Sequence, residues 1–222
     1  MDPSVPENKH LFDALWQRML AVGRQGCFIA SFEMCKLILS INPHEDPCGV
    51  LQCIDYYALR AQEFQGLLQL AGGYESVKSL SLLPNMAYST ALAHFKLGNV
   101  HQADRTIQQA LALFPCVLAP LINAAGGSAS QGGLDWALVL THPHFTANVP
   151  SSSASLRFLV DIFVKRNTLL WKQPDVMAWL HSNSIQLVDL VEQQEDEVLC
   201  YLWSVGVEVL DMTTSQCLCA IL

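Results

Sequence analysis

Apolar residues recur along most of the chain at the three- and four-residue spacing of amphipathic helices. In residues 8–22, Leu11, Leu15 and Met19 fall on one face, and a second apolar run of the same kind follows Gly26. No segment shows the sustained alternation of apolar and polar residues that is typical of a half-buried strand. The pattern therefore predicts an all-α protein, built from antiparallel helix pairs that are joined by short loops.

Proline and glycine residues mark the ends of several predicted helices. The Asn-Pro pair at 42–43 ends the second apolar run, and the Asp-Pro pair at 46–47 predicts the start of the next helix. Proline is favoured at the first helical position because its missing N–H would have no intrahelical partner there. A further helix is predicted over 62–70, and the Gly-Gly pair at 72–73 is expected to end it.

One segment, Pro84 to Pro115, resembles a tetratricopeptide repeat. Two helices can approach closely only where the residues at their crossing are small, and Ala91, Ala103 and Ala110 stand at such positions. The Gly-Asn pair at 98–99 supplies the turn between the two helices, and the proline that follows cannot continue the second one.

Residues 9–43 have a similar length, the same closing proline and Ser31 at a comparable small position. Their first helix departs from the repeat pattern. A single repeat cannot bury its apolar face alone, so neighbouring units must stack. The sequence predicts a tetratricopeptide-like helical-repeat solenoid of antiparallel helix pairs.

Composition changes along the chain and suggests how it is organised. Gly and Ser become frequent after residue 122, which predicts a flexible Gly/Ser-rich loop with a short helix near 134–140. The predicted divisions are an N-terminal tail at 1–7, a helical-repeat region at 8–122, the loop at 123–155, C-terminal helices at 156–210 and an irregular tail at 211–222.

Charge and hydropathy exclude several classes of protein. Of the 222 residues, 51% are hydrophobic and 14% are charged, so most of the chain is expected to fold. The net charge of −8 argues against a protein whose main role is phosphate binding. The first ten residues lack the features of a signal peptide. The longest apolar run, 110–122, contains two prolines and is shorter than the about 20 residues that a membrane span needs. A soluble protein is predicted, either well buried or with an apolar face for a partner.

Two small groups of polar residues are candidates for binding. His142 and His144 could ligate a metal, but water-exposed loop histidines are the alternative, because no carboxylate or cysteine set accompanies them. Lys165, Arg166 and Lys172 form a basic patch on one predicted helix. This patch could contact RNA, and a solvated helix face is the alternative.

The remaining residues give no sign of catalysis. None of the eight cysteines forms a C-x-x-C pair, and buried, reduced thiols are expected. The chain contains no G-x-S-x-G, G-x-G-x-x-G or P-loop pattern. Trp16, Trp171 and Trp179 stand among apolar residues at helical spacing, which predicts core packing, with a peptide-binding groove as the alternative. We therefore predict a protein that is not an enzyme and that has no metal and no cofactor.

The final four residues, Cys219-Ala220-Ile221-Leu222, satisfy the C-a-a-X pattern, and the terminal leucine favours geranylgeranylation of Cys219. Cys217 would be a second lipid attachment site. The residues before this tail are acidic rather than polybasic, so an anionic membrane would repel them. A chance ending is the alternative.

Several long blocks of the sequence resemble one protein family. PENKHLFDALWQRM, CKLILSINPHEDP and IDYYALRAQEF are similar to the central region of the transcription-factor-25 family, also known as nuclear localised protein 1 and as a ribosome quality control complex subunit. LPNMAYSTALAHF, IQQALALFPCVLAPLI and LVDIFVKRNTLLWKQPDVMAWLHSN follow in the same order. The resemblance extends from about Pro6 to Asn183.

The resemblance implies an all-helical scaffold without a catalytic site. It further implies a role on stalled 60S ribosomal subunits, where the family assists the ribosome-associated ubiquitin ligase in building proteasome-targeting ubiquitin chains on the trapped nascent polypeptide. An alternative implied by the family is a nuclear transcriptional repressor or corepressor, and a prenylated membrane-associated adaptor is a third reading, from the tail. The expected locations are the cytoplasm and the nucleus.

The family proteins are longer and carry a charged N-terminal region. This chain is therefore expected to begin within the helical region and to depart from the family after about Asn183, as a fragment or an alternatively spliced form would. A solenoid cut at both ends would expose an apolar stacking face.

Overall fold

The computed structural model describes residues 6–74, 77, 79–126, 134–146 and 153–193. Across these ranges the regular elements are helices, and no β-strand is present, which confirms the prediction of an all-α protein. In chain order the α-helices are α1 (Pro6–Arg24), α2 (Phe28–Ile41), α3 (Ile54–Arg60), α4 (Phe64–Tyr74), α5 (Pro84–Lys96), α6 (Val100–Leu113), α7 (Leu118–Ala124), α8 (Ala137–Thr141), α9 (Pro143–Thr146), α10 (Ala154–Trp171) and α11 (Pro174–Gln193).

The pair α5–α6 forms as the tetratricopeptide-like segment predicts. Ala91, Ala103 and Ala110 are buried, as expected of small residues where the two helices pack together. Gly98 adopts a φ of 77° between the helices, a conformation that a side chain disfavours. Pro84 stands in the first turn of α5. The local sequence therefore determined this hairpin.

The pair α1–α2 also depends on small residues. A Cβ atom at Gly23 would lie 2.7 Å from Tyr57 Cε1 on α3, so the glycine permits α1 and α3 to approach. Ser31 is buried on α2 and donates a hydrogen bond to the Met19 carbonyl at 3.1 Å. The buried face of α1 differs slightly from the predicted one, because Phe12 is buried and Leu11 is exposed.

Two predicted helix boundaries were wrong. The helix expected to start at 46–47 starts instead at Ile54, because Asp46 folds its carboxylate back onto the backbone N–H groups of Val50 and Leu51, both at 2.8 Å, and holds a 3₁₀ turn there. The Gly-Gly pair at 72–73 does not end α4, which continues to Tyr74.

Two C-terminal helices complete the core. Consecutive helices from α1 to α6 contact one another, but α10 packs across α3, α5 and α7, and α11 packs along α6. On α11, Trp179 Nε1 and Asn183 Nδ2 donate hydrogen bonds to Asp104 Oδ1 of α6, at 2.7 and 3.0 Å. The two helical regions therefore share one apolar core, and a regular stacking of repeats stays a prediction.

Within the predicted loop at 123–155, the short helix predicted near 134–140 is present as α8, but the described residues around it are more ordered and more apolar than the prediction of a loop implies. Residues 134–146 contain α8 and α9, and Trp136 and Phe145 are buried in the common core. Trp136 packs edge-on against His181 of α11, with 4.8 Å between the ring centroids. The Gly/Ser-rich composition of the flanking residues concealed this apolar contribution.

Within the described ranges, none of the helices is by itself both long and apolar enough to span a membrane. Val100–Leu113 and Pro115–Ala124 reach that length and composition only as a pair, which is bent by 91°.

Candidate protein-binding groove

Two neighbouring cavities open at one edge of the helical array, where α3 ends and α4 begins. One, of about 380 Å³, lies between these ends and the last turns of α5 and α10. The other, of about 560 Å³, lies against the first turn of α2. Arg60 and Gln62 line both cavities. We refer to the two cavities together as the Arg60 groove.

Arg60, at the end of α3, is held by aromatic rings. Its guanidinium carbon lies 4.3 Å from the ring centroid of Phe28 and 5.8 Å from that of Tyr56. The two rings pack edge-on, 6.1 Å apart. Cation–π attraction orients the guanidinium without using its N–H donors. In the described part of the chain those donors form neither a hydrogen bond nor an ion pair.

A second cation lies in the groove on α5. Lys96 Nζ donates to Asp175 Oδ2 in the first turn of α11 at 3.0 Å, and to Oε1 of Gln173, the residue before that helix. The hydrogen bond from Lys96 lowers the pKa of the Asp175 carboxyl. Lys96 is therefore partly neutralised, whereas Arg60 has no such partner in the part of the chain that the structure describes.

The backbone between α3 and α4 is strained at Gln62. Its φ is 59°, in the left-handed region that disfavours a side chain. The amide N–H of Gln62 donates to the Leu59 carbonyl and that of Glu63 to the Ala58 carbonyl, the pattern of a helix C-cap that usually carries glycine. The Gln62 side chain is exposed and faces both cavities.

Apart from Gln173, the other side chains that line the groove are mostly apolar. They are contributed by α2, α3, α4, α5 and α10 and include Ile29, Leu59, Phe64, Leu92 and Leu170. Ile29 is 55% exposed. Apolar side chains beside a guanidinium that has no acceptor among the described residues can bind a polypeptide segment, and the described lining does not pair a nucleophile with a base.

The histidines singled out from the sequence do not form a metal site. His144 is buried on α9, where its Nε2 lies 3.3 Å from the Leu111 carbonyl oxygen, so the expectation of two exposed loop histidines was wrong for it. Burial lowers the pKa of His144. His142 Nε2 lies 3.9 Å from Glu192 Oε1. In the residues that the structure describes, no group of three His, Cys, Asp or Glu side chains converges on one point.

The three residues of the predicted basic patch differ in their exposure to solvent. Lys165 and Lys172 are exposed, while Arg166 is half-buried, and its charge acts on the buried Asp55.

Trp171 is fully buried and Trp179 nearly so, with their rings stacked 6.3 Å apart.

Sequence reasoning missed the groove and also a buried polar cluster around Asp55. The Asp55 carboxylate accepts hydrogen bonds from Asn85 Nδ2 at 2.9 Å and Ser89 Oγ at 2.8 Å, while Asn167 Nδ2 lies 3.4 Å away. Burial raises the pKa of Asp55, and these hydrogen bonds oppose the shift. The cluster joins α3, α5 and α10, so it positions the helices around the groove.

For Arg60, one local signal was available. Tyr56 and Arg60 are four residues apart, so they are neighbours on one helix face. Phe28 belongs to another helix, and nothing in the sequence pairs it with Arg60. Cys219 lies outside the described residues, so its lipidation stays a prediction.

Comparison with known proteins identifies the family. The sequence model described as "Transcriptional repressor TCF25" matches residues 1–216. The match continues past Asn183, so the expected departure from the family at that point was wrong. No solved structure gives a significant match.

Curated relatives carry two kinds of name. The human protein named "Ribosome quality control complex subunit TCF25" is 35% identical over 211 residues, which cover 89% of this chain and 30% of the human protein. In Schizosaccharomyces pombe, "Ribosome quality control complex subunit 1" is 31% identical over 132 residues, or 59% of this chain and 20% of that protein. "Probable transcription factor claV" of Ampulloclitocybe clavipes is 29% identical over 198 residues, covering 79% of this chain and 25% of that protein.

This chain spans less than a third of the length of these relatives. Their names designate complex subunits and a transcription factor rather than enzymes. The family model covers almost the whole chain, and the long blocks recognised in the sequence lie within the matched residues. The chain belongs to the TCF25 family.

Proposed function

We propose that this chain is a helical scaffold that acts within ribosome-associated quality control and catalyses no reaction itself. The observation that carries the proposal is the 35% identity to the human ribosome quality control complex subunit over most of this chain. The helical array and its open groove are consistent with binding to other proteins. The net charge of −8 argues that the chain reaches a ribosome through protein contacts rather than by binding RNA directly.

The finer part of the proposal concerns partners. The scaffold assists the ribosome-associated ubiquitin ligase in adding proteasome-targeting ubiquitin chains to nascent polypeptides on stalled 60S subunits. Its partners are that ligase and the 60S subunit, in the cytoplasm, with a further pool in the nucleus. No cofactor is required.

Sucrose-gradient sedimentation tests this role. The tagged 222-residue chain is expressed in cells that carry a stalling reporter, with the same reporter lacking the stall as control. We expect the chain to move into the 60S fractions only when stalled subunits accumulate. Sedimentation with free protein in both cells, together with unchanged ubiquitination of the stalled product when the chain is overexpressed, would contradict the proposal.

A nuclear transcriptional repressor is the second candidate, favoured by the family description and by the name of the Ampulloclitocybe relative. It predicts recovery of the chain with chromatin and repression of a reporter when the chain is tethered to DNA. Tethering is needed because the net charge of −8 disfavours direct binding of the chain to DNA. Absence of repression by the tethered chain would exclude this candidate.

A prenylated adaptor is a third proposal, and it rests on the C-a-a-X ending alone. Metabolic labelling with an isoprenoid probe would compare the wild type with Cys219→Ser. Equal labelling of the two proteins would exclude modification at Cys219.

A further inference from the structure

We propose that the Arg60 groove binds an acidic, apolar peptide segment of a partner protein, with an Asp or Glu side chain of that peptide seated on the Arg60 guanidinium. This inference goes beyond the proposed function, since it names a surface and the chemistry of its ligand. It does not require that the partner belong to the ribosome or to chromatin.

The state of Arg60 is the first reason. The chain carries 20 Asp and Glu against 12 Lys and Arg, yet within its described part none of these carboxylates pairs with Arg60. Phe28 and Tyr56 hold the guanidinium through ring contacts, and among the described residues its forked N–H donors have no acceptor. A fixed guanidinium loses little conformational freedom when a carboxylate binds it with two parallel hydrogen bonds.

Gln62 supplies the second reason. The chain has two non-glycine residues with positive φ in the described ranges, Asp46 and Gln62. At Asp46 the strain is offset because its carboxylate accepts hydrogen bonds from the backbone N–H groups of Val50 and Leu51. The side chain of Gln62 makes no such hydrogen bond within the described chain, and glycine would relieve the backbone strain there. A ligand in the groove would give that side-chain amide a partner.

The shape and lining of the groove select the class of ligand. Apolar walls such as Ile29 and Leu170 extend on either side of Arg60, and cavities of about 560 and 380 Å³ accept side chains from a peptide that crosses between them. Nucleic acid is disfavoured, because its affinity depends on many phosphate contacts and Lys96 is already paired with Asp175. Charge complementarity therefore favours an acidic segment with apolar neighbours.

Peptide selection tests the proposal even while the partner protein is unidentified. Random dodecapeptides displayed on phage are selected on the immobilised 222-residue chain, and the most enriched peptide is synthesised with a fluorescein label. We expect enrichment of Asp or Glu beside Leu, Ile or Phe. Anisotropy titrations then compare the wild type with Arg60→Gln, Gln62→Gly and the matched control Arg105→Gln, which removes an exposed arginine of α6 outside the groove.

We expect Arg60→Gln to weaken binding about tenfold or more, since a charge-assisted pair is lost, and Arg105→Gln to leave the affinity within about twofold. Gln62→Gly is expected to weaken binding several-fold while raising the melting temperature. These opposite effects separate a role in binding from a role in folding. Circular dichroism of each variant verifies that it is folded.

Cys27 provides an internal reporter of occupancy. It is exposed and lines the larger cavity, while Cys35 of the same tryptic peptide, 25–36, is buried. Bound peptide should slow the alkylation of Cys27 by iodoacetamide, measured by mass spectrometry, and leave Cys35 unreactive. Selection of peptides without acidic residues, equal affinity of the wild type and Arg60→Gln, or an unchanged Cys27 rate would each overturn the proposal. Displacement of the peptide by a uridine oligonucleotide would do the same.

Discussion

Removing the Asp55 carboxylate tests whether the buried polar cluster holds α3, α5 and α10 together. In Asp55→Ala, the Asn85 amide and the Ser89 hydroxyl lose acceptors at 2.9 and 2.8 Å, and the Asn167 amide loses a weaker one at 3.4 Å. Each buried hydrogen bond contributes about 1 kcal/mol net, and the unfilled volume adds to the loss. We expect the free energy of unfolding to fall by about 3 kcal/mol, a large part of a typical domain's stability.

Urea unfolding followed by far-ultraviolet circular dichroism measures this change. Asp161→Ala is the matched control, because Asp161 is an exposed carboxylate on α10, and its removal should change the free energy of unfolding by less than about 0.5 kcal/mol. A loss below about 1 kcal/mol in Asp55→Ala would refute the reasoning, since the cluster would then contribute no more than a surface contact.

The pH dependence of the same comparison gives a second test. Because burial raises the pKa of Asp55 above its usual value of 3.8, the folded chain retains the proton to higher pH than the unfolded chain does. The contribution of Asp55 to stability is therefore complete below the unfolded pKa and declines as the pH rises toward the folded pKa. The difference between wild type and Asp55→Ala should be larger at about pH 4 than at pH 7. A difference that grows with pH would show that the ionised form is the one stabilised by folding.

Three further predictions concern helix packing and a buried histidine. Gly23→Ala should destabilise the chain by about 1–3 kcal/mol in urea unfolding, because the new Cβ would lie 2.7 Å from a Tyr57 ring carbon. Gly72→Ala is the comparison: its new Cβ would have no neighbour within 4 Å, so it should stabilise the chain by about 0.5–1 kcal/mol. Asp104→Ala should cost about 2 kcal/mol and alter the tryptophan fluorescence, since Trp179 Nε1 loses its acceptor; an unchanged spectrum would contradict the contact. Burial lowers the pKa of His144 below its usual 6.5, so the stability of the wild type should fall as the pH drops below 6.5. His144→Asn should lose part of that pH dependence. Equal pH profiles of the two proteins would contradict the burial of His144.

The predictions separate structural residues from binding residues. Asp55 and Asp104 are buried or half-buried and act between helices, so their removal should be measured as a loss of stability. Arg60 and Gln62 face the groove, so their replacement should change affinity and leave the fold intact. The proposed scaffold requires both groups of residues, and each group can be altered without the other.

The sequence by itself determined the helical class, the α5–α6 hairpin and the small residues at its crossing. These follow from local rules: the three- and four-residue spacing reports one helix face, and Gly98 and Pro115 end helices for steric reasons within a few residues. The long blocks also identified the family, because colinear matches of that length do not depend on the tertiary structure. Two predicted helix boundaries were wrong. At 46–47 the Asp46 side chain accepts a backbone hydrogen bond that delays the start of the helix, and at 72–73 α4 continues through both glycines.

The tertiary structure alone decided which helix faces meet. Asp55 and Asn167 are separated by 112 residues, and the Arg60 groove combines turns of α2, α3, α4, α5 and α10. Residues 134–146 belong to the core because Trp136 finds a partner on α11, which the surrounding glycines and serines give no reason to expect. Periodicity tells which side of a helix is apolar, but the choice of partner depends on the shapes of all the helices that compete for that side.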